Sequence, residues 1–160
     1  MIDSGGTLSD TLLLRRACRF DAAALARLRA ASLVEQALLL PHDAPAFERD
    51  AVHRFAALLR DDRIAAWLLE ADGDVCGAAC VLFWERLPYA EGALHAELAG
   101  VYVEPAYRRR GVARELCREA IAAARARSPR RIVVHPSLAG RALYRELGFV
   151  AGNEMRLGDA

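Results

Sequence analysis

Lysine is absent from this chain of 160 residues, and arginine occupies all 22 basic positions. We read that bias as a preference for GC-rich codons, and it excludes a P-loop, which needs Gly-Lys followed by Ser or Thr. The formal net charge of +1 argues against a dedicated nucleic-acid binder, since such domains are usually markedly basic. No apolar run is long enough to span a bilayer, and Met1–Asp10 carries no signal-peptide pattern. The chain therefore reads as cytoplasmic, with residues 1–10 a flexible tail containing Ser4, Gly5, Gly6 and Ser9. The four cysteines lack metal or disulfide spacing. Cys76 and Cys80 share one face of a predicted strand without a second pair, and Cys18 and Cys117 stand in apolar surroundings, so all four read as buried free thiols. His42, His53, His95 and His135 are scattered, so no metal site is predicted.

What is present suits one globular domain over residues 11–160, with 54% apolar residues and length enough for a core. Leu12–Arg16 predicts a strand. Asp21 is placed to cap a helix reaching about Leu33, and Pro41 and Pro45 precede a second helix near Ala46–Leu59. Ile64–Glu70 and Val75–Trp84 read as a hairpin about Asp72-Gly73-Asp74. Leu87–Gly92 reads as a loop and Leu94–Val103 as a strand. Ile132–His135 predicts a short strand, followed by a helix containing Tyr144 and a last strand near Phe149–Leu157. The expected fold is α/β, a mixed and mostly antiparallel sheet of six to seven strands with helices on both faces.

The most informative stretch is Val101-Tyr-Val-Glu-Pro-Ala-Tyr-Arg-Arg-Arg-Gly-Val-Ala113. Val101 and Val103 alternate on a strand that Pro105 cannot continue, because it lacks an N–H. Beyond the loop, Leu116, Cys117, Ala120, Ile121 and Ala124 recur on one helix face. The loop thus opens onto a helix N-terminus, where free N–H groups and the dipole favour an anion. Arg108, Arg109 and Arg110 add positive charge there, and Gly111 permits close backbone approach. The segment reads as a phosphate-binding device. It lacks the spaced glycines of a dinucleotide fingerprint.

Arg108, Gly111 and Ala113 fit the pattern Gln or Arg, two residues, Gly, one residue, Gly or Ala, and Val-x-Val-x-Pro leads into it. The segment resembles motif A of the GNAT N-acetyltransferase superfamily. Gly140-Arg-Ala-Leu-Tyr-Arg-Glu-Leu-Gly148-Phe149 is similar to that superfamily's other signature, a tyrosine helix closed by Leu-Gly-Phe. Asn153-Glu-Met-Arg-Leu157 resembles a bacterial subgroup whose members mostly lack assigned substrates.

The resemblance implies an acetyl-CoA-dependent N-acetyltransferase acting by direct attack of a primary amine on the thioester. It implies that the amides of Arg109, Arg110, Gly111, Val112 and Ala113 hold the coenzyme A pyrophosphate, with Arg108 at the first motif position. For each arginine side chain a solvated surface charge is the competing reading. The backbones of Val101 and Val103 are implied to pair with pantetheine, and the Val101 N–H to polarise the thioester carbonyl. Glu97 is implied as general base, in a buried apolar setting that would raise its pKa. The alternative is an ordinary strand glutamate facing solvent or an arginine. Tyr144 is implied as the acid that protonates the departing thiolate; otherwise it is a core aromatic beside Leu143 and Leu147. Most relatives carry asparagine seven residues before this tyrosine, where Ser137 stands here.

Trp84 and Tyr89 are candidates for an aromatic wall around the acceptor, with Glu85, Glu91 and Glu97 attracting its cation. A small-molecule amine is the favoured acceptor, ahead of a protein N-terminus or lysine. A non-catalytic acyl-CoA sensor is the rival of a different class, and retention of both Glu97 and Tyr144 counts against it. A homodimer is compatible with the resemblance; no nucleic acid or membrane partner is expected.

Overall fold

The structure, a computed structural model, describes residues 11–87 and 93–152. Five strands form one sheet in the order β1 (Leu12–Arg16), β2 (Ile64–Ala71), β3 (Asp74–Glu85), β4 (Leu94–Val103) and β5 (Arg131–Val134). Neighbours from β1 to β4 are antiparallel, and β5 runs parallel to β4. Among the described residues four α-helices flank the sheet: α1 (Ala22–Glu35), α2 (Ala44–Arg60), α3 (Val112–Ala126) and α4 (Arg141–Glu146).

The expectation of six to seven strands is corrected to five among the described residues. Phe149–Gly152 forms no strand, because the chain leaves α4 through a capping turn that packs Phe149 back on the helix. The remainder of the predicted last strand, Asn153–Leu157, lies outside the described residues, as do residues 1–10 and 88–92.

Each sheet face carries its own core. Leu69, Val81, Phe83, Ala96, Leu98 and Val103 meet the α3 stripe of Leu116, Cys117, Ala120, Ile121 and Ala124. On the other face Leu25 and Leu28 of α1 and Phe55 and Leu58 of α2 pack on Ile64, Ala66, Leu68, Ala78 and Cys80. Each fully buried leucine contributes roughly 2 kcal/mol by removal from water.

Three local readings change. Asp21 stands at the N-cap of α1 but makes no side-chain cap bond. Its carboxylate instead accepts from the Cys18 N–H at 2.7 Å and from both terminal nitrogens of Arg15 at 2.9 and 2.8 Å. Cys76 and Cys80 do not share a face: the pairing of Leu69 with Gly77 and Glu70 with Val75 leaves Cys76 as an extra residue. That bulge turns Cys76 into the α3 core while Cys80 joins the α1–α2 core. Cys18 is exposed rather than buried.

A second bulge shapes the site. Gly100 and Val101 of β4 stand opposite the single residue Ala79, between the pairs Ala78–Tyr102 and Cys80–Ala99. Gly100 has φ +60°, the left-handed conformation that such a bulge requires. Pairing of β4 with β5 ends at Leu98–Val134, and Pro136 cannot extend it. Among the described residues, no strand pairs with β4 on that side from Ala99 to Val103. The sheet therefore opens into a fork.

Candidate active site

A cleft of about 660 Å³ occupies the fork. It brings together Val101, Val103, Arg108, Ala113, Ser137 and Tyr144, all singled out in the sequence. Leu38, after α1, and Leu138, before α4, add two largely exposed leucines to its lining.

The floor at one end is the turn into α3. Arg109 has φ +63° and Gly111 has φ +78°, so successive peptide units are turned to make a concave set of N–H groups. The amides of Val112 and Ala113 follow as the first of α3, which helix geometry leaves without intrahelical acceptors. Gly111 is the N-cap of α3, and the N–H groups of Arg114 and Glu115 bond its carbonyl at 3.0 and 3.3 Å. The backbone is thus preshaped for an anionic group.

The arginine side chains divide. The Arg108 guanidinium grips Glu35 with Nη1–Oε1 2.9 Å and Nη2–Oε2 2.6 Å, while its Nε donates to the Val103 carbonyl at 2.7 Å. It also lies 5.4 Å from the Tyr102 ring centroid. Arg108 holds the Glu35 carboxyl below its ordinary pKa, and burial leads the influences that raise the Tyr102 phenol. This side chain is neither a solvated charge nor a free phosphate ligand; it joins α1, β4 and the loop. Arg110 lies 5.7 Å from the Tyr107 ring centroid and its Nη2 donates to the Ala106 carbonyl at 3.4 Å. Arg109 is exposed.

Across the cleft, α4 presents Tyr144. The helix closes with the Gly148 N–H on the Arg145 carbonyl at 3.0 Å and the Phe149 N–H on the Tyr144 carbonyl at 2.9 Å. That bonding pattern, with Gly148 at φ +91°, is a Schellman cap, and its accompanying apolar contact is the edge-on pair of Tyr144 and Phe149 at 6.0 Å. Burial pushes the Tyr144 phenol up to about 12. Gly140 lets the ring lie there, since a Cβ at Gly140 would stand 2.9 Å from Tyr144 Cε2. The Ser137 hydroxyl accepts from the Gly140 N–H at 3.3 Å, so it serves the α4 turn as well as lining the cleft.

An open strand edge, an anion-shaped helix start and a half-buried tyrosine surround one cleft. The acetyltransferase (GNAT) family model matches residues 30–149. The chain belongs to that family. Solved structures share the GNAT fold. A GCN5-related N-acetyltransferase from Ralstonia eutropha JMP134 is 22% identical, with 92% of this chain and 98% of that chain covered and a TM-score of 0.79. A predicted acetyltransferase with acetyl-CoA from Clostridium acetobutylicum is 20% identical, covering 93% and 96%, with a TM-score of 0.83. A ribosomal-protein-alanine N-acetyltransferase from Brucella melitensis is 22% identical, covering 92% and 100%, with a TM-score of 0.64. No curated protein matches the chain.

On this GNAT scaffold Glu97 lies apart from the cleft lining, on the sheet face opposite Ala96 and Leu98. It does not sit on a closed apolar floor: its side chain is 26% exposed and Oε1 lies 2.9 Å from His135 Nδ1. Trp84 is on that same face, paired across strands with His95 at 5.8 Å between ring centroids. His95 is buried, and its Nε2 has no hydrogen-bond partner among the described residues. Burial, and then Arg86, Arg130 and Arg131, lower its pKa. Tyr89 and Glu91 lie outside the described residues. Sequence reasoning missed Glu35, Gly140 and His135. The partnership of His135 with Glu97 becomes visible only when the parallel register sets Glu97 beside Val133, two residues before the histidine.

Proposed function

We propose that the protein transfers the acetyl group of acetyl-CoA to a primary amine, favouring a small molecule, by direct attack of the amine on the thioester. The observation that carries this reading is the β4 edge at Val101–Val103, which has no strand partner on the β5 side among the described residues and lies between the α3 N-terminus and Tyr144 in one cleft. The amides of Arg109 to Ala113 receive the pyrophosphate. The N–H groups of Val101 and Val103 offer pantetheine the ladder that β5 stops supplying at Val134. The Val103 carbonyl is already engaged by Arg108, so the N–H groups and the Val101 carbonyl carry that pairing.

The N–H of Val101 polarises the thioester carbonyl as charge develops on its oxygen. Glu97 takes the amine proton, and Trp84 with the neighbouring carboxylates receives the cationic acceptor. The Tyr144 phenol, with a pKa near 12, is a weaker acid than a thiol of about 8.5. Its part is to donate a hydrogen bond to the forming thiolate rather than to surrender its proton. The reading implies the bacterial cytoplasm, where acetyl-CoA is made.

The test is acetyl-CoA-dependent CoA release, followed by chromatography, with a panel of polyamines, amino acids, aminoglycosides, aryl amines and short peptides. Release stimulated by one amine class and lost in Glu97→Gln supports the reading. Tight acetyl-CoA binding with no acceptor-dependent release contradicts it.

A further inference from the structure

Glu97 is a flexible side chain on an open strand face, and a base must hold one oxygen still while the other takes a proton. His135 Nδ1 stands 2.9 Å from Glu97 Oε1, across the last rungs of the parallel β4–β5 pair. Glu97 is in register with Val133, and His135 follows two residues later on the same face. The contact lies at the vertex of the fork, where the final rung is Leu98–Val134 and Val101 begins the cleft lining.

We propose that His135 is the positioning residue for Glu97 in acetyl transfer. This rests on the function proposed above. An ionised carboxylate only accepts hydrogen bonds, so the contact places the imidazole proton on Nδ1 and directs that N–H at Oε1. Oε2 is then left to take the proton that the ammonium acceptor sheds before attack; its nitrogen then bonds to the acetyl carbon and loses its second proton to water. The carbon–sulfur bond breaks, and the electron pair leaves on sulfur. The imidazole gains and loses no proton in this step; its work is to fix the carboxylate. The His135 side chain is 40% exposed against 26% for Glu97, so both members of the pair are partly open to water.

Two readouts separate this role from a strut that merely joins β5 to β4. The first needs no turnover: nitrogen NMR of histidine-labelled protein at neutral pH. The wild type shows His135 protonated at Nδ1, and Glu97→Ala, which leaves no acceptor there, shifts it toward the Nε2-protonated form. An unchanged tautomer in that variant overturns the proposal.

The second readout is CoA release with the fastest amine of the panel, a cation at neutral pH, beside hydroxylamine, which is neutral there and sheds no proton before attack. His135→Ala lowers kcat for the cationic amine about tenfold, as loss of a positioned group does, with the KM for acetyl-CoA unchanged. The hydroxylamine rate falls far less. His135→Asn, which returns a donor near the Nδ1 position, restores most of the loss. Equal losses with both acceptors, or no rescue by asparagine, overturn the positioning role. No wild-type transfer to any amine, with the Nδ1 tautomer present, defeats the acetyl-transfer reading and the role with it, while leaving the pair as a structural contact.

Discussion

The Arg108 guanidinium meets the Glu35 carboxylate through two parallel contacts of 2.9 and 2.6 Å, joining the end of α1 to the loop that leads into α3. Its remaining Nε is held by the Val103 carbonyl. Arginine suits this place because its planar fork matches a carboxylate while a third donor stays available. A lysine would supply one point charge and lose the geometry.

Replacing Arg108 with alanine or with lysine is therefore expected to have nearly the same effect. Both partners are partly exposed, so the stability loss is small, about 1 kcal/mol. The larger effect falls on acetyl-CoA, whose Kd rises by about fivefold as the loop loses its anchor. Thermal melts and calorimetric titration check both quantities. Full recovery by Arg108→Lys would show that charge alone suffices.

Gly111 carries a different constraint. A Cβ there meets nothing within 4 Å, so steric crowding plays no part. The cost is conformational: at φ +78° an L-residue loses about 1–2 kcal/mol. Gly111→Ala should lower the melting temperature by that equivalent and weaken acetyl-CoA binding, and Gly111→Asn should lose less on both measures.

Tyr144→Phe keeps the ring and removes only the hydroxyl. We expect kcat to fall about tenfold through loss of one hydrogen bond to the developing thiolate, with acetyl-CoA binding little changed. Burial raises the phenol from 10.0 to about 12, and the sign follows from the neutral form being the buried one. The associated stability is full below the unfolded value and is lost as pH rises through the folded one. Denaturant melts from pH 9 to about 12 should therefore show wild type losing stability that Tyr144→Phe keeps. Gly140→Ala should reproduce part of the kinetic defect, because its Cβ displaces the ring.

Asp21 answers to acid instead. Its pKa is driven far below the ordinary 3.8, chiefly by hydrogen bonding from Arg15. The stability this supplies is present above that ordinary value and is lost as pH falls through the depressed one. Asp21→Asn should be about 2 kcal/mol less stable than wild type at pH 7, and the gap should close as pH drops below 4. Urea melts across that range measure it.

Local signals were the legible ones. The 3.6-residue recurrence from Leu116 to Ala124 marked α3, Asp72-Gly73 marked the hairpin, and Gly148-Phe149 marked the α4 cap. That Val101, Ala113, Ser137 and Tyr144 share one site was legible only as what the resemblance to the GNAT motifs implies, and no distance among them was. Side-chain partnerships over long separations were not. Arg108 finds Glu35 73 residues away, and His135 finds Glu97 38 residues away; no periodicity carries either. A bulge reversed the face of Cys76, because period-two reasoning assumes an unbroken ladder. The depressed carboxyl of Asp21 escaped for a similar reason: its residue type fits a cap, and only the antiparallel placing of β1 beside β2 reveals Arg15 between it and Glu70.

The most direct measurement is a crystal structure with acetyl-CoA bound. The pyrophosphate is expected on the amides of Arg109 to Ala113, pantetheine along Val101 and Val103, and the thioester oxygen within hydrogen-bond reach of the Val101 N–H. Acetyl-CoA lying elsewhere, or a thioester turned away from both Val101 and Tyr144, would contradict it.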